Sequence, residues 1–152
     1  MQEVRLVEKF IAKLSGRNEV PPVDTDAFGV AKFVSNKYCT KIKFFLKVKD
    51  IDNFVQAHIH FGKRGENGPV LAFLFGADLA TLEEQNGIST RRGIVTGVIT
   101  DKDIVDNNVG VDDVEDLLEL MEDELTYVNV HTEQNPGGEI RGQIIPLRRR
   151  KY

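Results

Sequence analysis

Three histidines are all this chain of 152 residues contains, and two of them, His58 and His60, lie one residue apart in "AHIHFGKRGENGPV". The third, His131, follows far downstream in "YVNVHTEQNPGGEIRGQI". Neutral imidazole is a ligand for zinc, copper(II) or nickel, so the first question is whether the three can meet. Residues two apart on a strand point the same way, with Cα atoms roughly 6.6 Å apart, and two such imidazoles can converge on one ion. In "FVQAHIHF" the apolar parity is Val55, Ala57, Ile59 and Phe61, which leaves Phe54, Gln56, His58 and His60 on the other face. In "YVNVHT" Val128 and Val130 are the apolar pair, and Tyr127, Asn129 and His131 lie opposite. After the turn "TEQNPGGE", Ile140 and Ile144 point inward while Glu139, Arg141 and Gln143 share the face of His131.

If the strands over 54–61 and 126–132 are neighbours, three imidazoles gather, with Arg141, Gln56, Asn129 and Glu139 as neighbouring polar groups. Such a set could hold copper or zinc with a fourth position left open. Its affinity should fall as pH drops through the histidine range near 6.5. The plainer alternative is that the imidazoles hydrogen-bond to backbone and brace "GKRGENG" and "TEQNPGG", whose sharp turns leave amides and carbonyls in need of partners.

The elements that must position these groups are mostly strands. "TKIKFFLKVK" puts Ile42, Phe44, Leu46 and Val48 on one face and four lysines on the other. "VRLVEKFIAKLSG" aligns Val4, Leu6, Phe10, Ala12 and Leu14 in the same manner. Further strands are predicted over 28–35, 54–61, 70–75, 93–100, 126–132 and 139–147, separated by "EVPPVDTDAFG", "GKRGENGP", "EQNGIS" and "EQNPGG". One stretch changes period. "VDDVEDLLELMEDEL" spaces Val114, Leu117, Leu118, Met121 and Leu125 at three and four residues, a helix near 112–124 with Asp112 or Asp113 as N-cap. The fold expected is an antiparallel Greek-key β-sandwich or flattened barrel of about eight strands with one amphipathic helix, in a single domain over 1–152. Its core should include Ile42, Phe44, Leu46, Val55, Ala57, Ile59, Val128, Val130, Ile140 and Ile144.

Composition narrows the function classes. Hydrophobic residues are 41% and charged residues 29% of the chain, a globular balance. Cys39 is the only cysteine, which rules out an internal disulfide and a thiolate-rich metal site. From Asp101 to Glu124 there are eleven acidic residues against one lysine, so a broad nucleic-acid surface is not expected. The basic tail 148–152 reads as a solvated terminus. No apolar run reaches the length of a transmembrane helix, and charges interrupt the first residues too often for a signal peptide. The chain as written is expected in the cytoplasm, or outside it if a leader has been removed. No GxSxG is present and "GKRGENG" lacks the GK[ST] ending of a phosphate loop, so neither serine-hydrolase nor nucleotide chemistry is indicated.

The segments "AKLSGRNEVPPVDTDAFGVAKF", "AHIHFGKRGENGPVLAFLF" and "LLELMEDELTYVNVHTEQNPGGEIRGQI" resemble, in order, the signature segments of the CHRD domain, from about Phe10 to Leu147. That module occurs repeatedly in chordin and alone in many bacterial proteins. The resemblance implies a β-sandwich and frequent location outside the cytoplasm, and a binding module of this kind is expected to meet a protein or surface partner. It implies no enzymatic activity. A more distant resemblance, to the copper–zinc superoxide dismutase barrel, lies in the order of an HxH strand, a glycine-rich loop and a VH strand. It implies copper ligation by His58, His60 and His131, with Arg141 as the arginine that guides an anionic substrate. The chain lacks that family's fourth copper histidine, its zinc-loop histidines and its cysteine pair. The resulting readings are a noncatalytic binding module with a copper or zinc site, a metalloenzyme with an open site, and a structural domain with loop-bracing histidines.

Overall fold

The computed structural model describes residues 7–76 and 87–147. Among them are eight strands and one α-helix: β1 (Lys9–Ser15), β2 (Phe28–Ser35), β3 (Lys41–Phe61), β4 (Val70–Phe75), β5 (Ile88–Thr100), α1 (Val114–Glu122), β6 (Thr126–Thr132), β7 (Ile140–Gln143) and β8 (Ile145–Pro146). All pairings are antiparallel, and β2, β1, β7, β6 and β3 join in that order, with β2 also bonded to β3, so five strands close into a barrel. Closure removes the open edges that an antiparallel sheet would otherwise present.

The strand that organises the barrel is longer than its sequence pattern indicates. Residues 40–49 and 54–61 are predicted as separate strands, yet they form the single strand β3, 21 residues long. Its first half pairs β2 and β5, and its second half pairs β6 and β4. Between them the inward parity changes. Ile42, Phe44, Leu46 and Val48 are buried on even numbers, and Ala57 and Ile59 on odd ones. The chain makes this change at Asp50 and Asn53, whose φ angles of 51° and 55° are left-handed, beside a register shift between Ile51 and Phe54. Extra residues at such bulges bend a strand and re-aim its side chains. This bend places His58 and His60 on a different wall from the lysine-rich half of the same strand.

The expected core is found, since all ten residues named for it are buried. Val55 is buried outside the main cluster, and Phe54 takes a place inside it. β5 starts five residues earlier than predicted, and the last predicted strand divides into β7 and β8 around Ile144. The helix is shorter than expected and is capped by Asp113, whose side chain accepts from the Asp116 amide at 2.8 Å. Val114, Leu117, Leu118 and Met121 form its buried face. No helix among the described residues is long and apolar enough to cross a membrane. Val4, Leu6, the turn residues 84–86 and the tail 148–152 lie outside the described residues.

Candidate metal centre

β3 and β6 are neighbours, with Gln56 opposite His131, His58 opposite Asn129 and His60 opposite Tyr127. On the far side of β6, Asn129 faces Arg141 of β7. The cross-strand lattice therefore brings the three imidazoles together, as the parity of the sequence requires. Ring centroids are 5.4 Å apart for His58 and His60, 4.7 Å for His58 and His131, and 6.0 Å for His60 and His131.

The face they occupy is not open to solvent. His58 and His60 are buried and His131 is half-buried. Phe73 of β4 packs edge-on against His58 at 4.4 Å, and Tyr127 stacks flat on His60 at 4.9 Å. Loops 62–69 and 133–138 come over the cluster. Residues that alternate away from the core are here covered by a second layer, so periodicity alone gives their direction but not their exposure.

Those loops also fix the tautomers. His60 Nδ1 donates to Gly68 O at 2.9 Å, and His131 Nδ1 donates to Pro136 O at 2.9 Å. A carbonyl accepts only, so each ring carries its proton on Nδ1 and presents a bare Nε2. His60 Nε2 and His58 Nε2 are buried with no hydrogen-bond partner. His58 Nδ1 lies 3.1 Å from His131 Nε2, and Asn129 Oδ1 is 2.8 Å from that same nitrogen. The Asn129 Nδ2 group is directed at Gly137 O and Glu19, which leaves its oxygen facing His131 Nε2. The orphaned nitrogens weigh more, because a buried polar atom left without a partner costs about 1–3 kcal/mol.

One ring nitrogen from each histidine can be chosen so that all lie within 4.8 Å of one another. Ligands of tetrahedral zinc, at about 2.0–2.1 Å from the ion, are separated by roughly 3.4 Å, so the side chains would have to close in slightly. The donors are nitrogen only, and His60 and His131 are each steadied through the other ring nitrogen by a backbone carbonyl, so the set suits copper or zinc. The residues present fit such an ion.

The other expected neighbours divide. Asn129 touches His131, as above. Gln56 turns aside and donates to Gly76 O at 2.9 Å. Glu139 is an organiser of the following turn, accepting from Thr25 Oγ1, Thr132 Oγ1, Gln134 Nε2 and Asn135 Nδ2 at 2.8–3.0 Å. Arg141 is only 2% exposed, with its guanidinium 3.5 Å above the Tyr127 ring. It donates to Asn67 Oδ1 (2.9 Å), Lys63 O (3.0 Å) and Glu66 O (2.6 Å). The role of guiding an anion, implied by the distant resemblance, gives way to that of a clamp on the loop after β3. Two further participants are absent from the expected site, although the parity of 126–132 puts Tyr127 on the face of His131. Tyr127 links His60 to Arg141 and accepts from the Gly68 amide at 3.1 Å. Glu19 is a buried carboxyl in the turn after β1, with Arg141 and Asn129 beside it.

These burials set a pH dependence. Burial pushes His58 down to about 3 and His60 down to about 4, the other imidazoles adding repulsion, and lowers His131 as well. The unfolded chain takes up these protons near 6.5 while the folded one does not. Stability should therefore be lost as pH falls from about 6.5 toward 4. Neutral ligands also persist below the range expected from free histidine. Glu19 acts with the opposite sign. Burial raises it to about 7, against the pull of Arg141 and Asn129, so its contribution is lost as pH rises from 4.5 to 7. Urea titrations of metal-free protein across this span should show both arms. Glu19→Gln should remove the neutral-side loss and leave the acid-side one, whereas unchanged curves would show that Glu19 keeps its ordinary acidity.

Residues 10–144 match the family model described as the CHRD domain. No curated protein matches the chain.

Proposed function

Since the chain belongs to the CHRD domain family, we propose that it is a noncatalytic binding module whose His58, His60 and His131 hold a single copper or zinc ion. The observation that supports this most is the pair of buried, partnerless nitrogens His58 Nε2 and His60 Nε2 beside His131. A divalent cation would supply the partner that these two nitrogens lack and could take His131 as its third donor. Loop bracing and ion binding are compatible here, because the carbonyls of Gly68 and Pro136 occupy the nitrogens that a metal would not use.

The test is metal uptake and its effect on melting, with untagged protein. At about pH 7.5, with all three rings neutral, the parent should take up one equivalent of copper(II) or zinc. An excess of about 100-fold over Kd should stabilise it by roughly 2.7 kcal/mol. His131→Gln, which keeps a group able to hydrogen-bond the 133–138 turn, should fold and lose most of that gain. If no metal raises the melting temperature while His131→Gln still destabilises, the histidines are braces and the domain is a module without an ion.

A further inference from the structure

The outward face of β1, β2, the first half of β3 and β5 alternates lysine and apolar residues in both directions. One cross-strand row reads Lys13, Val30, Lys47, Ile94. The next reads Ile11, Lys32, Phe45, Thr96, and the one after it Lys9, Val34, Lys43, Val98. At the end near the bend, Phe28, Lys49 and Arg92 continue the pattern. No aspartate or glutamate occupies any of these positions.

Two features set this face apart from an ordinary wet sheet. Its cations are crowded without acidic neighbours on the grid, to the point that Arg92, and then Lys49, hold the exposed Lys47 amine below its usual range. Its apolar members also protrude: Phe28, Val34, Ile94 and Val98 are 37–51% exposed. Lys49 and Arg92 stand directly opposite each other, and like charges so placed weaken a sheet. Two copies of the face would meet as two cationic surfaces, with no carboxylate on either grid to pair with the lysines.

We propose that this face docks on an anionic lipid bilayer, the lysines reaching the headgroup charges while Phe28, Val34, Ile94 and Val98 enter the headgroup–acyl boundary. Six of its seven cations are lysines, whose flexible stems suit a fluid layer of charge more than a fixed bidentate partner. A soluble polyanion would satisfy the ammonium groups but leave the four apolar side chains in water. A bilayer surface satisfies both. The strands hold the pattern rigid, and the histidine cluster lies on the other half of β3, so docking leaves that site untouched.

Cosedimentation of the full chain with vesicles tests this. The parent should bind phosphatidylcholine vesicles carrying about one-third phosphatidylserine, increasingly so at low salt, and should not bind phosphatidylcholine alone. Lys43→Glu with Lys47→Glu should weaken binding by well over thirtyfold, since each lysine near an anionic leaflet is worth about fivefold and each new carboxylate adds repulsion. Lys43→Gln with Lys47→Gln gives the same reading in smaller measure if the charge-reversed chain melts early. Ile94→Ser with Val98→Ser should weaken vesicle binding while leaving retention on heparin beads unchanged. Retention on heparin without vesicle binding would overturn the proposal in favour of a polyanionic partner. Equal binding to neutral vesicles, or binding indifferent to both the lysine and the aliphatic changes, would overturn it as well.

Discussion

Arg141→Leu should lower stability by about 3–5 kcal/mol, because the substitution strands polar groups that a leucine cannot serve. Lys63 O, Glu66 O and Asn67 Oδ1 would all lose their guanidinium donor. The cation over the Tyr127 ring would go as well. Arg141→Lys should recover only part of the loss, since an ammonium group cannot reach three acceptors across the fork that a guanidinium spans. Urea unfolding measures the loss, and amide exchange locates it, with protection falling first over 62–68. A loss below about 1 kcal/mol would mean that the loop holds itself and that Arg141 merely covers it.

Phe44→Ala should be of similar size, about 3–5 kcal/mol, while Lys43→Ala one position away should stay within about 0.5 kcal/mol. Phe44 points inward on β3 and its ring occupies the space that Gly97 leaves on β5, where a Cβ would come within 2.7 Å of the ring. Once the ring is removed, glycine has no side chain with which to close the void, which favours the upper end of the range. Lys43 stands on the outward face with Val34 and Val98 across from it and loses only surface contacts. Thermal or urea melts of both variants give the comparison. Equal losses would mean that the inward parity over 41–49 is misread by one residue.

That parity was legible because one side of 41–49 is apolar and the other is lysine, and alternation survives any choice of neighbouring strand. The same reasoning directed His58, His60 and His131 to one face, and the lattice of β3, β6 and β7 brings them together. The continuity of β3 was not legible. Its bend rests on Asp50 and Asn53 in left-handed conformations, and neither glycine nor proline marks the place. The cover over the histidines was hidden too, since periodicity within a strand carries no information about the path of a loop folded over it. Glu19 was lost within "EVPP", which reads as a turn, and a turn residue ordinarily has no reason to be buried. Tyr127 was placed on the correct face, but its position between His60 and Arg141 depends on β7 lying beside β6.

Closure of the barrel joins the two ends of the described chain, since Phe10 pairs with Pro146 and Ser15 with Arg141. On a ribosome, β1 must therefore wait for nearly the whole domain to emerge before it finds its second neighbour. His58 and His60 leave the tunnel about seventy residues ahead of His131. A nascent chain thus exposes an incomplete pair of imidazoles, and the third nitrogen arrives only with the strand that lets the barrel shut. Under the proposed function, the ion would then be selected late, on a nearly finished molecule whose Arg141 holds the loop after β3.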